Sequence, residues 1–387
     1  MKIKTLRACL TYSWFFYFCA FFITLLSTGC SEKSAKENDP LKELADSTGD
    51  FKRPLAGHII SFPQAHSPHK DYRQEWWYLT ANLLSEDGQS LATQWTLFRR
   101  AVDDKHWYFA HAALADSNSH QSSYRNGREI LGNVVISSEP FNAEIDDWSW
   151  QSTSTLLPAA LTYGSAVGAI ASNSKAQQDH WQVNLNLRSK LAENNQQAFF
   201  LQGENGFSKK HPKLDIASHY YSQPFIEVSG EVFWQGKWQK VTGNAWFDRE
   251  WGSQMLAEDQ QGWDWFSLRL ADNKTLMVYR LRSIVQDYIY ASIMTKDGKI
   301  RTLATDEVQI TVKERSQSDN TAIESSTGSP YPSAFELVIA KERIDLDVQV
   351  VNENQVMRFG IEYFEGMVTF DGSHSGEGFL EMTGYSH

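Results

Sequence analysis

From about residue 56 onward, apolar positions fall in short runs rich in aromatic and β-branched residues, separated by turn dipeptides. Such turns stand at Asp87-Gly88, Asn126-Gly127, Gln235-Gly236, Asp272-Asn273, Asp297-Gly298 and Asp371-Gly372. Runs bounded in this way predict strands joined by tight turns. No stretch keeps the roughly 3.6-residue period of a long amphipathic helix. The fold class is therefore all-β. Two polar segments, residues 152–178 and 315–333, interrupt the rhythm and read as insertions, either surface loops or a lid over a pocket.

A weak internal repeat organises the chain. Glu75-Trp76-Trp77-Tyr78-Leu79 leads through Asp87-Gly88 to a return strand ending in Leu97-Phe98-Arg99, and then to Trp107-Tyr108-Phe109-Ala110-His111-Ala112. Later, Trp263-Asp264-Trp265-Phe266-Ser267-Leu268 leads through Asp272-Asn273 to Tyr279-Arg280-Leu281-Arg282, and then to Tyr288-Ile289-Tyr290-Ala291. A duplicated meander predicts two domains, 56–229 and 230–387, meeting near Ser229-Gly230. Each would close its own barrel, which removes sheet edges and encloses ligands.

The N-terminus has a different character. Lys2, Lys4 and Arg7 precede an uncharged apolar stretch from Ala8 to Gly29, which ends in Leu26-Ser27-Thr28-Gly29-Cys30. This resembles a bacterial lipobox, so residues 1–29 are expected to be a signal peptide and Cys30 the lipidated N-terminus. An uncleaved membrane anchor is the alternative. Residues 30–55 then form a polar tether, and the expected location is the cell envelope, at the periplasmic face of the outer membrane. Cys9 and Cys19 lie within the signal, so the mature chain has no internal disulfide.

Composition narrows the function. Among 387 residues the formal charge is −11, which disfavours a nucleic-acid partner. Fourteen Trp, 15 Tyr and 22 Phe favour strands and apolar pockets. The histidines are scattered without metal-ligand spacing, and no phosphate-cradling or dinucleotide loop is present, so no metal or cofactor is expected.

The densest chemistry lies in Trp246-Phe247-Asp248-Arg249-Glu250-Trp251. In an extended strand Trp246, Asp248 and Glu250 share one face, while Phe247, Arg249 and Trp251 share the other. Asp264 shares its face with Phe266 and Leu268, so it is either a satisfied structural acid or a general acid with a raised pKa. Glu75 poses the same choice, with Arg99, Arg100 and Arg249 as possible partners. His111 reads as a hydrogen-bonded core residue or a base.

Taken together, several stretches resemble the AttH-like and carotenoid 1,2-hydratase (CrtC-like) family. They are Asp71-Tyr72-Arg73-Gln74-Glu75-Trp76-Trp77-Tyr78, Tyr108-Phe109-Ala110-His111, Asp146-Asp147-Trp148, Ser218-His219-Tyr220-Tyr221-Ser222, the Trp246–Trp251 and Gly262–Leu268 segments, Tyr363-Phe364-Glu365-Gly366 and Thr383-Gly384-Tyr385. The resemblance implies two lipocalin-like antiparallel β-barrel domains in tandem, binding a lipophilic small molecule. Its candidate ligand contacts are Glu75, Trp76, Trp77, Tyr78 and His111 from the first meander. Tyr220, Tyr221, Trp251, Trp263, Asp264 and Trp265 complete the set.

For the hydratase branch the resemblance implies water addition to an acyclic carotenoid. Asp248 would be the acid, Trp246 would stabilise a carbocation, and Glu250 would accept the proton of water. Arg249 stands where AttH-like relatives usually carry His, and a cation beside Asp248 would keep that acid ionised. The AttH branch, whose members often accompany ABC transporter components, is the closer match. A transporter is therefore a candidate partner, beside the membrane that the lipid anchor would reach.

Overall fold

The computed structural model describes residues 44–46, 48–165, 180–191, 199–315 and 331–385. The signal segment, Cys30 and most of the tether lie outside them, as do residues 166–178 and 316–330 of the two expected insertions. No helix among the described residues is long and apolar enough to cross a membrane.

The architecture is all-β, with two curled antiparallel sheets forming tandem lipocalin-like barrels. The first sheet opens with β1 (Gln74–Ser85), β2 (Ser90–Val102), β3 (Lys105–Ala115) and β4 (His120–Gly127). Short strands follow: β5 (Val134–Ser138), β6 (Phe141–Ile145), β7 (Trp148–Ser152), β8 (Ala159–Gly164) and β9 (Gln182–Ser189). It is completed by β10 (Phe200–Leu201), β11 (Phe207–Lys209), β12 (Ala217–Trp234) and β13 (Lys237–Gly252). Their order is β4-β3-β2-β1-β13-β12-β9-β8-β7-β6-β5, with β10 and β11 pairing on β12.

The second sheet contains β14 (Gln260–Ala271), β15 (Lys274–Ser283), β16 (Tyr288–Thr295), β17 (Ile300–Leu303) and β18 (Gln309–Arg315). Then come β19 (Pro332–Ile339), β20 (Ile344–Val350), β21 (Val356–Phe359), β22 (Ile361–Gly372) and β23 (Gly376–Thr383). The order is β17-β16-β15-β14-β23-β22-β20-β19-β18, with β21 pairing on β22.

The repeated stretches form matching meanders, β1-β2-β3 and β14-β15-β16. Two details depart from the sequence reading. Ser229 and Gly230 lie inside β12, and the chain changes sheets only between Gly252 and Gln260. The reason is the long β12–β13 hairpin, whose second strand pairs residue for residue with β1. The described part of segment 152–178 also holds β8, which sits between β7 and β9.

Among the described residues three large apolar cores follow from the alternation of side chains. Trp77, Trp95, Trp148, Trp150 and Phe247 help fill the first barrel. Phe266, Leu268, Phe335, Leu346 and Phe364 help fill the second. A third core, with Tyr78, Tyr220, Trp246, Trp265, Tyr279 and Met277, joins the outer faces of the two sheets. Strands β1, β13 and β14 are therefore buried on both faces, which explains why each carries aromatic rings at consecutive positions, as in Trp76-Trp77-Tyr78, Trp246-Phe247 and Trp265-Phe266.

Candidate active site between the two barrels

Side chains of β13 divide as alternation predicts. Phe247 and Trp251 enter the first barrel, while Trp246 joins the third core beside Asp248. Across β13 and β1, Asp248 pairs with Tyr78, and across β12 it pairs with Ser222. On the facing sheet Trp265 pairs with Glu381, which pairs with Glu365. Two rows of polar and aromatic residues thus meet where the sheets pack.

Between them lies a partly open cavity of about 150 Å³. From the first barrel, Trp76, Tyr78, Phe98, His111, Asp248 and Glu250 line it. From the second come Trp263, Trp265, Tyr279, Tyr363 and Glu381, with Lys210 and Tyr220 at the margin of the first sheet. The expectation of a pocket inside a barrel is corrected by this placement. Barrel interiors here are packed with large rings and aliphatics, so the space that remains is between the barrels.

Asp248 is the central polar group. It is 4% exposed, and its oxygens accept hydrogen bonds from Trp246 Nε1 at 2.9 Å and the Tyr220 hydroxyl at 2.8 Å. Trp265 Nε1 in turn donates to the Tyr220 oxygen at 3.2 Å, linking the second barrel to the acid. Burial pushes the Asp248 carboxyl up to about 7, against the bonds from Ser222, Trp246 and Tyr220, which favour its charged form. Neighbouring Glu250 adds to the rise. Among the described residues no cation bonds to it.

Arg249 does not act on Asp248. Its side chain is on the opposite face, where it and Arg99 clamp the Glu75 carboxylate. Burial works against the charge of Glu75, but the two guanidiniums and His69 outweigh it and hold the carboxyl far below its ordinary value. Glu75 and Arg99 border the cavity, yet the carboxylate itself serves this ion cluster. Of the two readings open from sequence, the buried salt bridge is the one realised.

Other sequence candidates separate in the same way. Trp77 and Trp251 sit with Arg249, whose guanidinium lies 3.8 Å from the Trp77 ring centre; Trp251 stacks on His69 at 3.9 Å. Tyr221 bonds His66 Nδ1 at 2.6 Å within the first barrel. Asp264 is fully buried in the second barrel, held by Arg280 at 2.6 Å and by the Tyr385 hydroxyl at 2.8 Å. These four are structural because odd and even positions of a strand point to opposite sides. His111 does line the cavity, and its Nδ1 is 3.0 Å from the Tyr363 hydroxyl across the interface. Burial lowers it to about 3, so it is a neutral hydrogen-bonding group.

Glu250 lines the cavity but is ion-paired with Lys210 at 2.6 Å and accepts the Ser218 hydroxyl. Sequence reasoning missed Lys210, Glu365 and Glu381. Glu365 accepts the Tyr78 hydroxyl at 2.5 Å, and Glu381 accepts Trp263 Nε1 at 2.6 Å. Burial raises Glu381 to about 7, and burial with the adjacent Glu381 raises Glu365 well above its ordinary value. The available signal was alternation along Ile361–Gly372, which places Glu365 on the face of Tyr363 rather than with core Phe364.

The profile of the AttH-like family matches residues 53–385. The chain belongs to the AttH-like family. Among solved structures, an AttH protein of Nitrosomonas europaea is 29% identical with a TM-score of 0.71, over 87% of this chain and all of that one. Kievitone hydratase of Nectria haematococca is 15% identical with a TM-score of 0.60, over 88% of this chain and 99% of that one, and shares the fold. No curated protein matches.

Proposed function

We propose that this AttH-like protein takes up a lipophilic small molecule in the cavity between its barrels. The observation that carries the reading is a ring-lined cavity containing a buried carboxyl, Asp248, with no cation among the described residues bonded to it. Convergent polar groups in an apolar cleft are the usual form of a small-molecule site. Native mass spectrometry of protein purified gently from its own membranes tests this. A co-purified apolar molecule, reduced in Trp265→Ala, is expected; an empty wild-type protein that also ignores added farnesol would refute it.

A second reading, hydration or isomerisation of an isoprenoid or polyene, is favoured by the state of Asp248. A carboxyl raised to about 7 keeps much of its proton at neutral pH, as a general acid must. It could protonate an alkene carbon while the faces of Trp265 and Tyr78, which line the cavity, stabilise the resulting cation. The fold shared with a hydratase supports this class of reaction. Incorporation of ¹⁸O from labelled water into farnesol, by wild type but not by Asp248→Asn, is the expected result. Equal incorporation by both would remove Asp248 from the mechanism.

We also propose that the protein works as an envelope lipoprotein anchored through Cys30 at the periplasmic face of the outer membrane, serving an ABC transporter. The charged n-region, apolar stretch and Cys30 of the sequence support the anchor. The transporter link rests on the family resemblance.

A further inference from the structure

The described buried carboxylates are compensated in recognisable ways. Glu75 faces two arginines, Asp264 faces Arg280 and Arg282, and Glu250 faces Lys210. Asp116 has no cation but accepts bonds from Trp234 Nε1, Gln89, Gln235 and the backbone of Asn118 and Ser119. Glu365 and Glu381 differ from all of these. They are directly opposed on β22 and β23, and their carboxyls interact with one another. Glu365 is 1% exposed, and Glu381 forms part of the cavity wall.

Their other partners are neutral donors. Tyr78 reaches across from the first barrel to Glu365, and Trp263 holds Glu381. The titratable groups that bear on the pair are Tyr78, Glu250 and Tyr363; Asp248 lies two residues from Glu250 on the same face of β13 and acts on Tyr78. All are acids or phenols, so among the described residues that bear on the pair none offsets a second negative charge. Two carboxylates in contact within a low-dielectric interior cannot both ionise.

We infer that Glu365 and Glu381 share one proton at neutral pH and form a second acid–base pair on the cavity wall, so that the cavity selects neutral over anionic apolar ligands. The pair would titrate as a unit. In the hydratase reading, on which this one step rests, Asp248 transfers its proton to an alkene carbon and the π electrons form the new C–H bond. A water lone pair then forms the C–O bond to the cationic carbon. That water loses a proton to the ionised member of the pair, Glu381, which borders the cavity. Return of one proton from the doubly protonated pair to Asp248 restores the starting state. Glu250 is less suited to the task because Lys210 and Ser218 already occupy its carboxylate.

Infrared spectroscopy of the full-length protein at pH 7, in H₂O and D₂O, tests the shared proton without any substrate. The spectrum of wild type minus E365Q/E381Q is expected to show a protonated-carboxyl C=O band that shifts in D₂O, and D248N should retain that band. Absence of the band would overturn the inference. If the double variant does not fold, E365Q, which mimics protonated Glu365, supplies the same comparison.

Calorimetry with geraniol and geranate, which differ mainly in charge, tests the selectivity. Geraniol is expected to bind at least about tenfold more tightly, since a further anion would meet the charge shared by Glu365 and Glu381, while Arg99 and Lys210 of the cavity wall are already engaged by Glu75 and Glu250. Equal or tighter binding of geranate would overturn the selectivity. Failure of both probes to bind would remove the selectivity and the uptake reading together, while the infrared band would still decide the shared proton. Equal binding without the band would overturn the pair and leave uptake standing.

Discussion

Replacing Asp248 with Asn should make the protein more stable at alkaline pH and slightly less stable in acid. The unfolded chain releases the Asp248 proton near 3.8, whereas the folded protein holds it until about pH 7. Between these values the folded state binds more protons, so stability falls as pH rises, and the loss is complete above about pH 7. At about 1.4 kcal/mol per pH unit the rise amounts to about 4 kcal/mol. Asn keeps an acceptor for Trp246 but presents an amide to the Tyr220 hydroxyl, whose oxygen already accepts from Trp265. Losing that one bond costs about 1 kcal/mol at every pH.

The variant should therefore be about 0.5 kcal/mol less stable than wild type at pH 4, where the unfolded Asp248 is already partly ionised, and about 3 kcal/mol more stable at pH 8. Urea titrations followed by tryptophan fluorescence across this range give the difference directly. Glu365 and Glu381 push wild-type stability in the same direction, so the comparison must be between variant and wild type at each pH. A difference that stays constant from pH 4 to 8 would refute the reasoning, because Asp248 would then ionise alike in both states.

Three further outcomes are expected. Glu75→Gln leaves Arg99 and Arg249 fully buried without their carboxylate and should cost about 3–5 kcal/mol in urea; a loss under 1 kcal/mol, the size of a single ordinary hydrogen bond, would mean that water reaches the cluster. Gly243→Ala puts a Cβ against the Asn82 carbonyl of the neighbouring strand and should destabilise by about 1–3 kcal/mol, visible as a lower denaturation midpoint with unchanged slope. Cys30→Ala should abolish incorporation of labelled palmitate and release the protein from the membrane fraction; retained labelling would place the lipid elsewhere.

The β class, the two matching meanders and the two faces of Trp246–Trp251 were legible in the sequence, because strand side chains alternate whatever surrounds them. Family membership was legible for a similar reason: its motifs are contiguous. Alternation, however, says which residues share a face and not what that face meets. Strands β1, β13 and β14 carry rings on both sides, so the sequence offered no means of telling barrel interior from barrel junction, and Trp77, Tyr221, Trp251 and Asp264 were grouped with the cavity residues. The same limit left Arg249 open to both its chain neighbour Asp248 and Glu75, 174 positions away, and packing chose Glu75.

Packing of the two sheets decided the rest. It put the cavity between the barrels, brought Lys210 to Glu250, and set Tyr78 against Glu365 across 287 positions. Burial without a cation, the condition that keeps Asp248 and the Glu365–Glu381 pair protonated, is a property of what surrounds a carboxyl. Only the tertiary structure supplies those surroundings.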